Sequence, residues 1–146
     1  MIVIADYIIY LAGGMQKFGK DGFKKAQEWR TVLQSELSKY SKKEVKIINP
    51  NDYFNFLDEP QYQSQREVME FDLNKVRNSD LIIVNFNDVY SLGTMSELAI
   101  SYDRRIPILG LNAEEQELHP WQIEMCNRIF ANMDDLVSYT LAYYLD

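Results

Sequence analysis

Apolar residues fall into four short, near-continuous runs, at residues 7–12, 45–48, 80–86 and 106–111. Runs of this length bounded by Gly-Gly, Asn-Pro or polar turns read as strands, and their lack of polar alternation fits strands buried on both faces. Between them the apolar positions change period. Phe23, Ala26, Leu33, Leu37 and Tyr40 repeat at helical spacing, which predicts a helix over about 21–40. A second helix is predicted over 65–77 and a third over about 94–103, while a polar, aromatic loop runs from Asn49-Pro50 to about residue 61. The tail carries one or two helices, the last over about 133–144. The proline at 107 marks the fourth run as an edge strand or a strand start. Strand–helix alternation of this kind builds a doubly wound, Rossmann-like or flavodoxin-like α/β fold: a parallel sheet of four to five strands with helices on both faces. Ligands of such sheets bind at the C-terminal strand ends. Here those ends are Gly13-Gly14, Asn49-Pro50, residues 85–93 and the segment after Leu111.

The length of 146 residues suits one domain with a full core, spanning 1–146, and is short for two. The net charge of −7 argues against a nucleic-acid polymer as partner, because phosphate backbones need a basic face. A single cysteine, Cys126, excludes an internal disulfide, and with one histidine, His119, it leaves no Cys/His zinc cluster. No metal site is expected, although counting residues leaves a carboxylate-held Mg²⁺ open. The apolar start is interrupted by Asp6 and lacks a basic leader. No run approaches the ~18 apolar residues of a membrane span. A cytoplasmic protein is the expectation.

The stretch Ser91-Leu92-Gly93-Thr94-Met95-Ser96-Glu97 follows the third strand directly. It reads as a turn made by Gly93, hydroxyls from Ser91 and Thr94, and one carboxylate in the first turn of a helix aimed into the crevice. Thr94-x-x-Glu97 equally fits a capping box, in which the Glu folds back onto backbone N–H groups. Asp72 sits on the second helix, eight residues before Asp80, where most acids are solvated. Asp88 follows the third strand, as a ligand contact or a loop-tip charge. Gly13-Gly14 is either a close-approach site for a ligand or a plain tight turn, with Lys17 and Lys20 behind it. Tyr7 and Tyr10 are strand residues, Trp29 a core residue, and His119-Pro120-Trp121 either a stacking lid for a planar base or a Pro-initiated helix anchored by its Trp.

Taken in order, Tyr10-Leu11-Ala12-Gly13-Gly14-Met15, Asn49-Pro50, Asp72-Leu73, Asn78-Ser79-Asp80-Leu81-Ile82-Ile83-Val84 and Ser91-x-Gly93-Thr94-x-x-Glu97 resemble the nucleoside 2-deoxyribosyltransferase family over nearly the whole chain. The resemblance implies cleavage of an N-glycosidic bond without a cofactor, with deoxyribose passed to another base. It implies Glu97 as the nucleophile at C1′ and Asp72 as manager of the proton on the base. The substrate contacts it implies are Tyr7, Tyr10, Gly13, Gly14, Asp88, Ser91, Gly93, Thr94 and Trp121. The partners are then a small nucleoside or nucleotide and a free base. Related enzymes complete their sites from a neighbouring subunit, so a homodimer or higher oligomer is implied.

One position departs from the pattern. Six residues before the nucleophile, transferases acting on free nucleosides tend to carry an acid, and here it is Ser91. That serine is similar to the related 2′-deoxynucleoside 5′-monophosphate N-glycosidases, whose first-turn arginines this chain lacks. The turn also resembles that of cytokinin-type phosphoribohydrolases, without its two leading glycines. Three functions follow: a transferase, a monophosphate hydrolase, and a nucleotide-binding module without turnover. Phe54, Phe56, Trp121, Tyr143 and Tyr144 are the aromatic candidates for a base pocket, and the tail from Tyr139 to Leu145 suits either an interface or a core helix.

Overall fold

A computed structural model describes residues 6–14, 19–53 and 62–146, with side chains from residue 24 onward in the first helix. Five strands, β1 (Tyr7–Gly13), β2 (Val45–Ile48), β3 (Leu81–Asn85), β4 (Ile108–Leu111) and β5 (Arg128–Phe130), alternate with helices α1 (Gly19–Tyr40), α2 (Gln65–Arg77), α3 (Leu92–Asp103), α4 (Pro120–Met125) and α5 (Met133–Tyr143). All strands pair in parallel, in the order β2-β1-β3-β4-β5. The chain therefore leaves β1 towards one edge and resumes at β3 on its other side. The crevice between the C-terminal ends of β1 and β3 is the switch point where ligands of open α/β sheets bind.

Period-2 alternation along β1 sorts the core into two layers. Ile9 and Leu11 face α1 and α5, packing with Leu33, Leu37, Leu136 and Leu145. Tyr10 and Ala12 face the opposite way, with Val76 of α2 and Leu98 of α3. Tyr139 and Tyr144 pack against the first layer, which makes the tail a core helix in this chain. Tyr144 thus lies in the layer behind the sheet from α2 and α3, while Tyr143 on the same helix is exposed.

Local chemistry sets the helix ends. Ser64, Ser91 and Asn132 cap α2, α3 and α5 with side-chain oxygens accepting backbone N–H bonds. His119 caps α4 through Nδ1, accepting from Trp121 N at 3.0 Å, while Gln122 Oε1 accepts from His119 N at 2.7 Å. Pro120 takes the first helical position as expected, but Trp121 is 73% exposed and anchors nothing in this chain. Pro107 stands just before β4, whose carbonyl neighbour it supplies to Ile82 N, so β4 is an inner strand with Pro at its start. The fifth strand, β5, was not among the four apolar runs. It is three residues long, and such a strand leaves too short a pattern to read.

Candidate functional site

The crevice is built by two facing turns. Gly13 pairs in register with Asn85. Beyond them Asn87 clasps the first turn, its Oδ1 accepting from Gly14 N at 3.0 Å and its Nδ2 donating to Gly14 O at 3.1 Å. Gln116 Nε2 holds the second turn through the carbonyls of Phe86 and Asn87, at 2.9 and 3.0 Å. The approach is so close that a Cβ on Gly14 would lie 2.7 Å from Asp88 Cβ. Gly14 is thus a close-approach glycine. Asp88 is buried, at 7% exposure, with Oδ1 accepting from Tyr90 N at 3.0 Å, so it is not a loop-tip charge.

Helix α3 begins two residues earlier than the sequence suggested. Ser91 is its N-cap, accepting from Thr94 N at 3.4 Å and from Thr94 Oγ1 at 2.9 Å. Thr94 is consequently a buried third helical residue, and Glu97 lies in the second turn. A capping box between Thr94 and Glu97 is ruled out by that register, which frees the carboxylate for the crevice. Gly93 sits within the first turn with open space where a Cβ would be, so no turn demands glycine there.

Four polar side chains from four elements converge behind this helix end: Tyr10 of β1, Arg30 of α1, Asp72 of α2 and Glu97 of α3, each perturbed by the charge of others in the set. Tyr10 and Arg30 are wholly buried. Glu97 keeps part of its surface exposed, but its carboxyl lies deep enough that burial pushes its pKa up to about 8. The Tyr10 hydroxyl and the Arg30 charge oppose that rise, and the Asp72 charge adds to it. Burial likewise raises Asp72 to about 6, against the pull of Arg30. Tyr10 is held well above the ordinary phenol value by burial, then by Glu97 and Asp72. Its hydroxyl completes no hydrogen bond of ordinary length, although it approaches Glu97 closely enough for each to shift the other.

The cluster is also rich in uncommitted polar atoms. Among the described residues, Tyr10 Oη, Arg30 Nε, Asp72 Oδ1 and both amide atoms of buried Asn51, just past β2, find no hydrogen-bond partner. Buried polar groups are nearly always satisfied, so a group of them at one end of a sheet suits a polar ligand. With Asp72 raised to about 6 and Glu97 to about 8, the two carboxyls retain a proton near neutral pH that ordinary carboxylates would have released.

The remaining expectations separate cleanly. Tyr7 lies at the N-terminal end of β1, half-buried in the α1–α5 layer beside Lys43 and Tyr144; burial lifts its pKa to about 12. Three residues and a change of face separate it from Tyr10, so Tyr7 does not join the cluster. Trp121 lines an apolar cavity of about 700 Å³ with Val89, Tyr90, Met95 and Leu118. Met15, Lys17, Phe54 and Phe56, and the side chain of Lys20, lie outside the described residues. Among the described residues no three His, Cys, Asp or Glu side chains gather as a metal-binding group. Arg30 and Asn87 were missed. Arg30 had a signal: it occupies the apolar stripe Ala26, Leu33, Leu37, where a charged residue is out of place. Asn87 had none beyond its place after a strand.

Comparison with known proteins adds to this geometry. The family model described as nucleoside 2-deoxyribosyltransferase matches residues 9–137. No curated protein matches the chain. Among solved structures, a conserved protein from Enterococcus faecalis V583 superposes with a TM-score of 0.73 at 18% identity, covering 92% of this chain and 96% of its own. A 2-deoxyribosyltransferase from Bacillus psychrosaccharolyticus gives 0.71 at 20% identity, covering 92% and 93%. A CMP N-glycosidase from Clostridium botulinum gives 0.63 at 16% identity, covering 93% and 98%. These likenesses establish a common fold.

Proposed function

The chain belongs to the nucleoside 2-deoxyribosyltransferase family, and from that premise we propose that it cleaves the N-glycosidic bond of 2′-deoxynucleosides and passes the deoxyribose to another base. The observation that carries the reading is the pair of carboxyls Asp72 and Glu97, from α2 and α3, both pushed up by burial, with the Asp72 charge adding to the rise at Glu97.

Breaking a C1′–N bond builds positive charge on the sugar. An ionised carboxylate at C1′ stabilises that charge and then closes on it as a nucleophile, the retaining logic of glycosidases. Glu97 is the residue proposed for this role. The base leaves with the C1′–N electron pair and is a poor leaving group until protonated, which is the role of Asp72. The raised pKa values of the pair leave a proton available near neutral pH. The reactive form is the tautomer with the proton on Asp72, and a sugar carbon turning cationic favours it by stabilising ionised Glu97. In the second half an incoming base attacks C1′, the Glu97–C1′ bond breaks, and the base's proton returns to Asp72. Tyr10, Gly13, Gly14, Asp88, Ser91 and Thr94 frame the substrate in this reading, with Gly93 at the helix start beside them. No cofactor is required for any step.

A specific observation supports a second reading, hydrolysis of 2′-deoxynucleoside 5′-monophosphates. Ser91 caps the N-terminus of a 12-residue helix, where free N–H groups favour an anion and a carboxylate in its place would repel one. A homodimer or higher oligomer is proposed for either reading, because Tyr90, Leu92, Trp121 and Ile123 are large apolar residues left exposed.

Incubation with deoxyadenosine or its 5′-monophosphate, each with and without cytosine, decides between the readings. A deoxycytidine product, resolved by chromatography, supports the transferase. Free adenine alone, chiefly from the monophosphate, supports the hydrolase. Unchanged substrate in every tube refutes both and leaves a binding module.

A further inference from the structure

Arg30 does not have the surroundings of a structural arginine. It is wholly buried on the apolar stripe of α1, where an aliphatic residue would fill the space without desolvating a charge. Among the described residues its bonds go to neutral acceptors: Nη1 donates to Ala26 O at 2.9 Å and Nη2 to Gly13 O at 3.1 Å. The guanidinium lies 4.9 Å from the centre of the Trp29 ring, and Nε finds no partner among the described residues. No carboxylate within ion-pair distance neutralises it among the described residues. Its nearest compensation is through space, from Glu97 of α3 and Asp72 of α2, with the Tyr10 hydroxyl of β1 beside them. Asp88 lies against Gly14, the residue following the carbonyl that Nη2 holds.

The Gly13 contact fixes this charge in place. A Cβ on Gly13 would sit 3.2 Å from the Trp29 ring and 3.4 Å from Arg30 Nη2, so the strand end, the indole and the guanidinium form one packed unit. A cation locked to the last carbonyl of β1 presents an unchanging field at the floor of the crevice. Preorganised charge of this kind costs no rearrangement when the reaction begins.

We propose that Arg30 is a positioning residue of this site, a buried cation anchored to the C-terminal end of β1 whose field readies Glu97 as a carboxylate; this rests on the nucleophile reading of Glu97 above. It acts through Glu97 and Asp72 and touches no substrate.

The test is a carboxyl ¹³C NMR titration of wild-type protein, Arg30→Lys and Arg30→Gln, with resonances assigned from Glu97→Gln and Asp72→Asn. Removing the charge should raise both the Asp72 and the Glu97 midpoints measurably, and the lysine variant should restore most of the shift. The acid limb of kcat/KM should move with it. A folded Arg30→Gln protein whose Glu97 and Asp72 midpoints match wild type overturns the proposal. Should Arg30→Gln fail to fold, the wild-type Arg30 side-chain ¹⁵N resonances serve instead. They should shift through the midpoints of the pair and stay flat in the double variant Glu97→Gln/Asp72→Asn; a flat wild-type response overturns the proposal. Because both titrations are read without substrate, a protein inactive on every nucleoside counts against the assigned reaction alone.

Discussion

Replacing Glu97 by glutamine should make the protein more stable at alkaline pH while abolishing its proposed activity. The folded midpoint of about 8 lies above the ordinary 4.5, so between those values the native state holds a proton that the unfolded chain has released. The stability this group contributes is therefore complete below about pH 4.5 and is lost as the pH rises through about 8. At ~1.4 kcal/mol per pH unit of displacement, the loss has a ceiling of ~5 kcal/mol. Glutamine keeps the shape and stays neutral, so the variant should not decline with Glu97's profile. Asp72, raised to about 6, adds a loss of the same sign at lower pH in both proteins. Urea denaturation from pH 5 to 9, followed by the fluorescence of buried Trp29 over that of exposed Trp121, measures the difference. The expected result is near-equality at pH 5 and an advantage of a few kcal/mol for Glu97→Gln at pH 8.5, together with a fall in turnover of ~10³-fold or more. Parallel stability curves, or turnover within tenfold of wild type, would refute the reasoning that places this carboxyl, desolvated, in the site.

Asp72→Asn should lower the rate by ~10²-fold or more and remove one limb of a profile that otherwise peaks between about pH 6 and 8; steady-state rates against pH check this. Gly14→Ala puts a methyl 2.7 Å from Asp88 Cβ, so the clasped turns must part. A destabilisation of ~1–3 kcal/mol and a raised KM should follow, seen in denaturation and initial rates. Leu136→Ala, in the layer of α1 and α5, should cost ~2–5 kcal/mol while leaving KM and the pH profile of the remaining folded protein unchanged.

The sheet was legible because parallel strands buried on both faces leave continuous apolar runs, as at Ile82-Ile83-Val84, and Gly or Asn-Pro punctuation marks their ends. Strand β5 was not, because three residues carry no period. Glu97 and Asp72 could be singled out through an ordered set of motifs, yet the start of α3 was placed two residues late, which put Glu97 in the first turn instead of the second. Ser91 and Thr94 are both competent caps, and only the hydrogen bond from Thr94 N to Ser91 Oγ decides between them. Tyr7 and Tyr10 look alike in sequence, but the odd, three-residue step between them sends them to opposite faces of β1. Long-range clasps such as Asn87 on Gly14, or Gln116 on Phe86, join positions far apart in the chain and have no local signature.

The division of the core by β1 has a consequence for how this chain can change over time. The layer formed with α2 and α3 carries the proposed chemistry, and substitutions there are then constrained twice, by packing and by charge. The layer formed with α1 and α5 answers to volume alone, so Leu33, Leu37, Leu136 and Leu145 can drift among aliphatic residues together. Arg30 is the exception that ties the two rates together. It sits in the permissive layer yet serves the restricted one, so a lineage that repacks α1 freely is expected to keep an arginine at this single position for as long as it keeps the reaction.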